Sequence, residues 1–182
     1  MDVRDAKPED AAGIAAVARA SWHAAYDDLL GADTVEATVD SWYDTDSLRE
    51  EIHETAEGSG CFLVADAGGV IGFANAGPAR DWEGDPAGPD AFFSRLYVAP
   101  DSWGEGIGTK LTATVARRLA DAGLERVWLE VFEANERGRS FYESVGFERT
   151  GSVTETFGGR DVTTVHLSVP VTVLVEATPA VE

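Results

Sequence analysis

Residues 101–111, DSWGEGIGTKL, place three glycines in five positions (Gly104, Gly106, Gly108) between a strand-like run, AFFSRLYVAP, and a helical repeat. Glycine at that density costs backbone entropy, so the chain needs bare main chain there, either for a left-handed turn or for the close approach of another group. The repeat that follows sets Ile107, Leu111, Val115 and Leu119 at four-residue intervals and stops at Gly123, a good residue just past a helix end. A second strand, RVWLEVF, comes next. The unit is therefore a strand–helix–strand crossover near residues 92–132, which predicts a parallel, right-handed connection.

The rest of the chain fits around that unit. DVRDA reads as a short strand, and Pro8 opens a helix at its favoured first-turn position. Ile14, Val17 and Ala18 recur at helical spacing, and the helix continues through SWHAAY. Residues 34–57 read as one or two more helices ending near Gly58. CFLVADA, a Gly68-Gly69 turn and VIGFANAGP form a hairpin, and residues 79–90 a polar loop. NERGRSFYESVGF reads as a helix ending at Gly146, and ERTGSVTETF, a GGR turn and DVTTVHLSV make a second hairpin. The tail, residues 170–182, either extends that last strand or packs on a partner chain. The order is mixed α/β.

Length and composition narrow the function classes. At 182 residues, 1–182 reads as one domain, long enough for a real core. No run of about 18 apolar residues occurs, so no membrane span is expected. The charged start, MDVRDAKPED, lacks the apolar stretch of a secretory signal, and a cytoplasmic location is expected. Cys61, in the apolar run CFLVADA, reads as a buried thiol rather than a nucleophile. His23, His53 and His166 have no metal-ligand spacing, so no metal is expected.

Asp and Glu number 33 against 14 Lys and Arg, a net charge of −19, and only Lys7 and Lys110 are lysines. Nucleic acid is disfavoured as a partner, because phosphate needs cationic neutralisation. The acidity is spread along the whole chain and resembles the acidic proteome of halophilic organisms with a salty cytoplasm. At molar salt the screening length is about 3 Å, so long-range steering of a cationic substrate would largely vanish.

Two nucleotide-site readings of the glycine loop fail. A P-loop needs Gly-Lys followed by Ser or Thr, and GIGTKL has another order. A dinucleotide fingerprint needs a third glycine where Thr109 stands. A glycine turn at a helix start can still dock a pyrophosphate through main-chain amides and the helix dipole, without lysine. A tight connection with no ligand remains the other reading.

Within VWLEVFEANERGRSFYESVGF, residues 127–147, strand alternation puts Val127, Leu129 and Val131 on one face and Trp128, Glu130 and Phe132 on the other. Glu130 is an acid between two aromatics. It is either a partly desolvated carboxylate with a raised pKa or a residue at a solvated strand end. In the following helix Phe141 and Val145 read as core, and Tyr142 falls on an adjacent face, as core filler or as a site group. Asn135 reads as a helix N-cap.

RLYV, the glycine loop and FYESVGF together resemble the GNAT superfamily of acyl-CoA-dependent N-acyltransferases, over roughly residues 60–168. The resemblance implies a central mixed sheet of about seven strands flanked by about four helices. The family loop pattern, Q/R-x-x-G-x-G/A, falls on Trp103, Gly104, Glu105, Gly106, Ile107 and Gly108. Trp103 stands where Arg or Gln is usual, and Glu105 where a basic residue is common. By resemblance, residues 104 to 109 (Gly104 through Thr109) hold the pyrophosphate of acetyl-CoA, and the backbone of Leu96, Tyr97 and Val98 meets the pantetheine arm. The stretch 127–147 is similar to the ribosomal-protein alanine N-acetyltransferase branch. That similarity implies Glu130 as general base, Tyr142 as general acid and Asn135 as a CoA contact.

The implied activity is direct attack of a primary amine on the thioester of acetyl-CoA, with a backbone N–H near Val98 stabilising the oxyanion. The acceptor is then a small amine or a peptide N-terminus. Trp22, Tyr26, Trp42 and Tyr43 are expected mostly in the core, with one or two lining an acceptor pocket beside Asp27 or Asp28. The rival is a non-catalytic acyl-CoA sensor or scaffold on the same fold. A homodimer through the C-terminal strand is a further expectation.

Overall fold

Strand alternation and helical stripes give this chain a sheet with two apolar faces, each covered by helices. The computed structural model describes residues 1–79 and 90–178. Its elements run β1 (Asp2–Asp5), α1 (Ala11–Leu30), α2 (Ala32–Trp42), α3 (Thr45–Glu57), β2 (Cys61–Asp66), β3 (Val70–Pro78), β4 (Asp90–Val98), α4 (Ile107–Asp121), β5 (Arg126–Phe132), α5 (Glu136–Ser144), β6 (Glu148–Phe157), β7 (Arg160–Pro170) and α6 (Val171–Ala177). Among the described residues the strands form one seven-stranded mixed sheet, ordered β1-β2-β3-β4-β5-β7-β6. Of the expected polar loop over 79–90, residues 80–89 lie outside the described residues.

One face packs Leu63, Ala74, Val127, Leu129 and Val165 against Leu111, Val115 and Leu119 of α4. The other packs Phe62, Val64, Phe73 and Val162 against Ile14, Val17, Val35 and Leu48 of the three N-terminal helices. The four apolar residues expected on α4 are all buried, and Leu124 N–H closes the helix end on Leu119 O at 3.0 Å, past a left-handed Gly123 (φ 76°). Cys61 is buried as expected, and burial pushes its thiol up to about 11.

The described residues hold six α-helices where about four were expected. Residues 34–57 divide at Asp44, whose carboxylate caps α3 by accepting from Ser47 N–H at 3.0 Å. The tail does not continue β7 past Pro170. It turns at Pro170 into α6, which buries Val171 and Leu174 against the α4 side of the sheet. The C-terminal strand is also a poor dimer edge. β7 is paired on both sides, by β5 and by β6, so it has no free ladder for another chain.

The N-terminus is tied down by Arg4, whose guanidinium meets Asp10 at 2.8 Å and Asp66 at 2.8 Å. Hydrogen bonds from Arg4 hold both carboxyls below the usual carboxylate range. A lowered folded-state pKa contributes stability above the unfolded pKa, near 3.9, and loses it as pH falls through the folded value. Arg4→Met is therefore expected to lower the melting temperature by roughly 2–4 °C at pH 7. By circular dichroism that difference should begin to shrink as pH falls below about 4 and vanish once both carboxyls are protonated. An undiminished difference in acid would remove these carboxylates as its cause.

Candidate active site

The site begins with a one-residue slip. β3 and β4 pair in register at Asn75↔Arg95 and then at Ala76↔Phe93, which leaves Ser94 bulged without an opposite residue. A bulge bends its strand. The parallel pairing of β4 with β5 covers only Asp90–Phe92 against Arg126–Trp128, although β4 continues to Val98 and β5 to Phe132. Past the bulge the two strands part, and an open cleft of about 920 Å³ occupies the gap. Because Ala99 N–H donates to Ile71 O on β3, the alternating peptide groups of Leu96 and Val98 turn towards the gap. Val98 O there accepts from Ser21 Oγ at 2.9 Å and from Trp103 Nε1 at 2.8 Å. The strand expected to meet an extended ligand, Leu96 to Val98, lines this cleft.

The glycine turn closes one end. Gly104 and Gly106 have φ of 85° and 78°, a left-handed backbone that explains glycine at both. Among the described residues, no atom beyond the chain neighbours lies within 4 Å of where a Cβ would stand at either residue, so the turn is also an open cradle. Gly106 is the N-cap of α4, and the first intrahelical bond runs from Lys110 N–H to Gly106 O. The preceding amides, Gly106 to Thr109, have no helical partner by geometry and carry the positive end of the helix dipole. Gly108 lies inside the helix, and a Cβ there would make only ordinary contact with the Phe141 ring, at 3.5 Å. Trp103 departs from the usual loop residue, yet the turn keeps a cation. The Arg137 guanidinium lies over the Trp103 ring at 4.4 Å. The sequence signal for Arg137 was its place in the first turn of the NERGRS helix.

The expected chemical groups converge on the same cleft. Asn135 caps α5, its Oδ1 accepting from Gly138 N–H at 2.9 Å, and its Nδ2 donates to the Tyr26 hydroxyl at 2.9 Å. Burial pushes that Tyr26 phenol up to about 12. Tyr142 projects from α5 with its ring held by Phe93, Phe141 and Phe147, at centroid distances of 6.4, 5.5 and 5.5 Å. Burial raises its phenol well above the ordinary value. Glu130 lies on the opposite sheet face and also lines the cleft. Its side chain is 47 % exposed, which favours the solvated of the two readings left open by the sequence; the gap opens beside it. Across the β5–β7 pairing, His166 Nε2 faces Glu130 Oε1 at 3.3 Å, buried and without a hydrogen bond of good geometry.

Of the N-terminal aromatics, Trp22, Tyr26 and Trp42 line the cleft, while Tyr43 is buried in the α1–α3 core. Asp27 and Asp28 stay outside it; Asp27 instead meets His23 Nδ1 at 2.7 Å. Ser21, Glu155 and Phe157 were not singled out from sequence. Alternation along β6 would have placed Glu155 and Phe157 on one face, but nothing in that strand's polar pattern marked the face as functional.

Comparison with known proteins agrees with this geometry. Residues 22–147 match the acetyltransferase (GNAT) family model. The chain is 29 % identical over 151 residues to an uncharacterized N-acetyltransferase of Mycobacterium bovis, covering 82 % of this chain and 90 % of that one. It is 32 % identical over 115 residues to the mycothiol acetyltransferase of Thermobispora bispora, covering 60 % of this chain but only 37 % of the relative. Among solved structures it is similar to the PaiA N-acetyltransferase of Thermoplasma acidophilum in complex with coenzyme A. That match has a TM-score of 0.74 and 25 % identity, covering 90 % and 96 % of the two chains. The ribosomal-protein-alanine N-acetyltransferase of Brucella melitensis shares the fold, with a TM-score of 0.75 at 20 % identity over 93 % and 99 %.

Proposed function

Since this chain belongs to the acetyltransferase (GNAT) family, we propose that it transfers an acetyl group from acetyl-CoA to a primary amine across the gap between β4 and β5. The observation that carries the reading is that gap: two parallel strands paired over three residues only, then open onto a left-handed glycine turn at a helix start. The donor set fits acetyl-CoA. The amides of Gly104 to Thr109 suit a pyrophosphate, Arg137 supplies a nearby cation, and the gap-facing edge of Leu96 to Val98 suits a chain of amides such as pantetheine.

Bound acetyl-CoA supplies an activated acyl thioester. The protein's own groups do the rest. Val98 N–H is directed at the gap as a donor for negative charge on a carbonyl oxygen. Tyr142, on the α4 side of the sheet, offers its O–H to a leaving sulfur. Glu130, on the α1–α2 side, receives the proton that an ammonium must lose, with His166 beside it on the neighbouring strand, Nε2 3.3 Å from Oε1. Acid and base stand on opposite faces, and the gap is where the two faces meet. Asn135 acts here first as the N-cap that orients α5, and hence Tyr142; a CoA contact of its own would use the same amide.

Calorimetry with CoA and acetyl-CoA, paired with thiol release across an amine panel at low and molar salt, tests the reading. Gly106→Ala is expected to weaken acetyl-CoA at least about tenfold, from a left-handed-backbone cost of about 1–2 kcal/mol and a methyl placed in the cradle. Gly123→Ala is the control, since it too is left-handed and open, but lies at the far end of α4. Equal losses in both variants, or no CoA uptake by the parent protein, would overturn the assignment. Uptake without transfer to any amine would favour an acyl-CoA sensor.

A further inference from the structure

Rings from four separate elements close a circuit on the α1–α2 side of the cleft. Trp22 meets Trp42 at 5.5 Å, Trp42 meets Phe157 at 5.8 Å, Phe157 meets Phe132 at 5.7 Å and Phe132 returns to Trp22 at 6.4 Å, each nearly edge to face. All four line the cleft. Trp42 is 49 % exposed at its mouth. A lone exposed indole needs no explanation, but Trp42 continues into the half-buried Phe132 and Phe157, with the buried Trp22 behind them, and the three make an apolar wall to the cleft. Glu130 and Glu155 line the same cleft from the sheet face that carries Phe132 and Phe157.

Polar groups along this wall are largely committed. Ser21 Oγ donates to Val98 O, and Trp22 Nε1 donates to the Tyr43 hydroxyl at 3.3 Å. The strands beneath, β5, β7 and β6, are hydrogen-bonded to one another through the wall, so a peptide backbone could pair only at the gap-facing edge of β5 or the outer edge of β6. A polyhydroxylated amine would bury hydroxyls against rings without partners, at a cost, and a polyamine would leave the rings wet. An ammonium on an apolar or aromatic body satisfies both components, since ring faces and carboxylates attract the cation while the body covers the rings.

We propose that this wall is the acceptor site, and that the acceptor is a small primary amine with an aromatic or bulky apolar body. The inference rests on the acetyl-transfer reading above. In the reaction the ammonium gives up one proton on the Glu130 side, the N–C bond forms and the thioester C–S bond breaks; the nitrogen sheds a second proton, which balances the one the thiolate takes up, leaving amide, CoA thiol and one released proton.

Thiol release with 2-phenylethylamine, spermidine, glucosamine and a short peptide with N-terminal alanine tests the choice. At equal acetyl-CoA, kcat/KM for 2-phenylethylamine should exceed each of the others by at least about tenfold, the scale on which apolar contact discriminates. In Trp42→Ala the KM for 2-phenylethylamine should rise about tenfold, and Trp42→Phe should recover most of it. The acetyl-CoA affinity and melting temperature of both variants should stay at the parent values. Spermidine, glucosamine or the peptide matching 2-phenylethylamine would overturn the acceptor assignment while leaving acetyl transfer intact. Absence of acetyl-CoA binding by calorimetry would overturn both. The parent panel stands even if a Trp42 variant fails to fold.

Discussion

Tyr142→Phe is expected to lower turnover about a hundredfold, the usual scale of a positioned proton donor, while acetyl-CoA affinity changes less than about twofold. The variant keeps the ring, and with it the contacts to Phe93, Phe141 and Phe147 that hold α5 in place. Only the hydroxyl is lost. Burial raises the phenol above its ordinary range, which favours its protonated form and suits a donor rather than a base. Full transfer to sulfur is uphill, since a phenol titrates near 10 and a thiol near 8.5. A hydrogen bond that strengthens as charge gathers on sulfur is sufficient, because it acts in a poorly solvated surrounding. Steady-state thiol release and calorimetry on the same preparation separate the two effects. Turnover equal to the parent's would remove Tyr142 from the chemistry.

The second large effect depends on which amine is offered. Glu130→Gln should cost about a hundredfold at pH 7 with a lysine-type amine, which titrates near 10.4, but only severalfold with an α-amine titrating near 7.7–8.0. Roughly a tenth of the α-amine is already free base at neutral pH, against well under a thousandth of the lysine type. With rising pH the solvent takes over the base's task, so the deficit for the lysine-type amine should narrow. A pH–rate profile for both acceptors gives the answer. An equal loss for both amines at every pH would mean that Glu130 shapes the pocket without accepting a proton.

Much of this arrangement could be read from residue order. Gly104 and Gly106 are glycines because their backbone is left-handed, and the sequence marked them through density alone. The stripe on α4 and the Asn135 cap also follow from spacing and side-chain type. The decisive opening could not be read in the same way. AFFSRLYV looks like an unbroken strand, and only pairing with β3 reveals that Ser94 is supernumerary. The setting of Glu130 stayed open between two readings for the same reason, since flanking aromatics imply a dry site unless the neighbouring strand has moved away. The tail was undecided because PVTVLVEA is rich in β-branched residues. It is helical because Val171 and Leu174, three apart, find an apolar seat beside α4, and packing outweighs propensity.

The short seam between β4 and β5 bears on how the molecule responds to heat. Three residue pairs join two panels, β1 to β4 and β5 to β6, whose neighbouring seams, β3–β4 and β5–β7, each run over seven pairs. A panel joint of that kind is the weakest line in the sheet, and whatever bridges it from both sides acts as a clasp. Occupancy of a locus that exists only in the native fold raises stability in proportion to the logarithm of concentration over affinity. Melting should therefore report on the clasp directly, and a bridging molecule should stiffen the whole barrier between the two layers of helices.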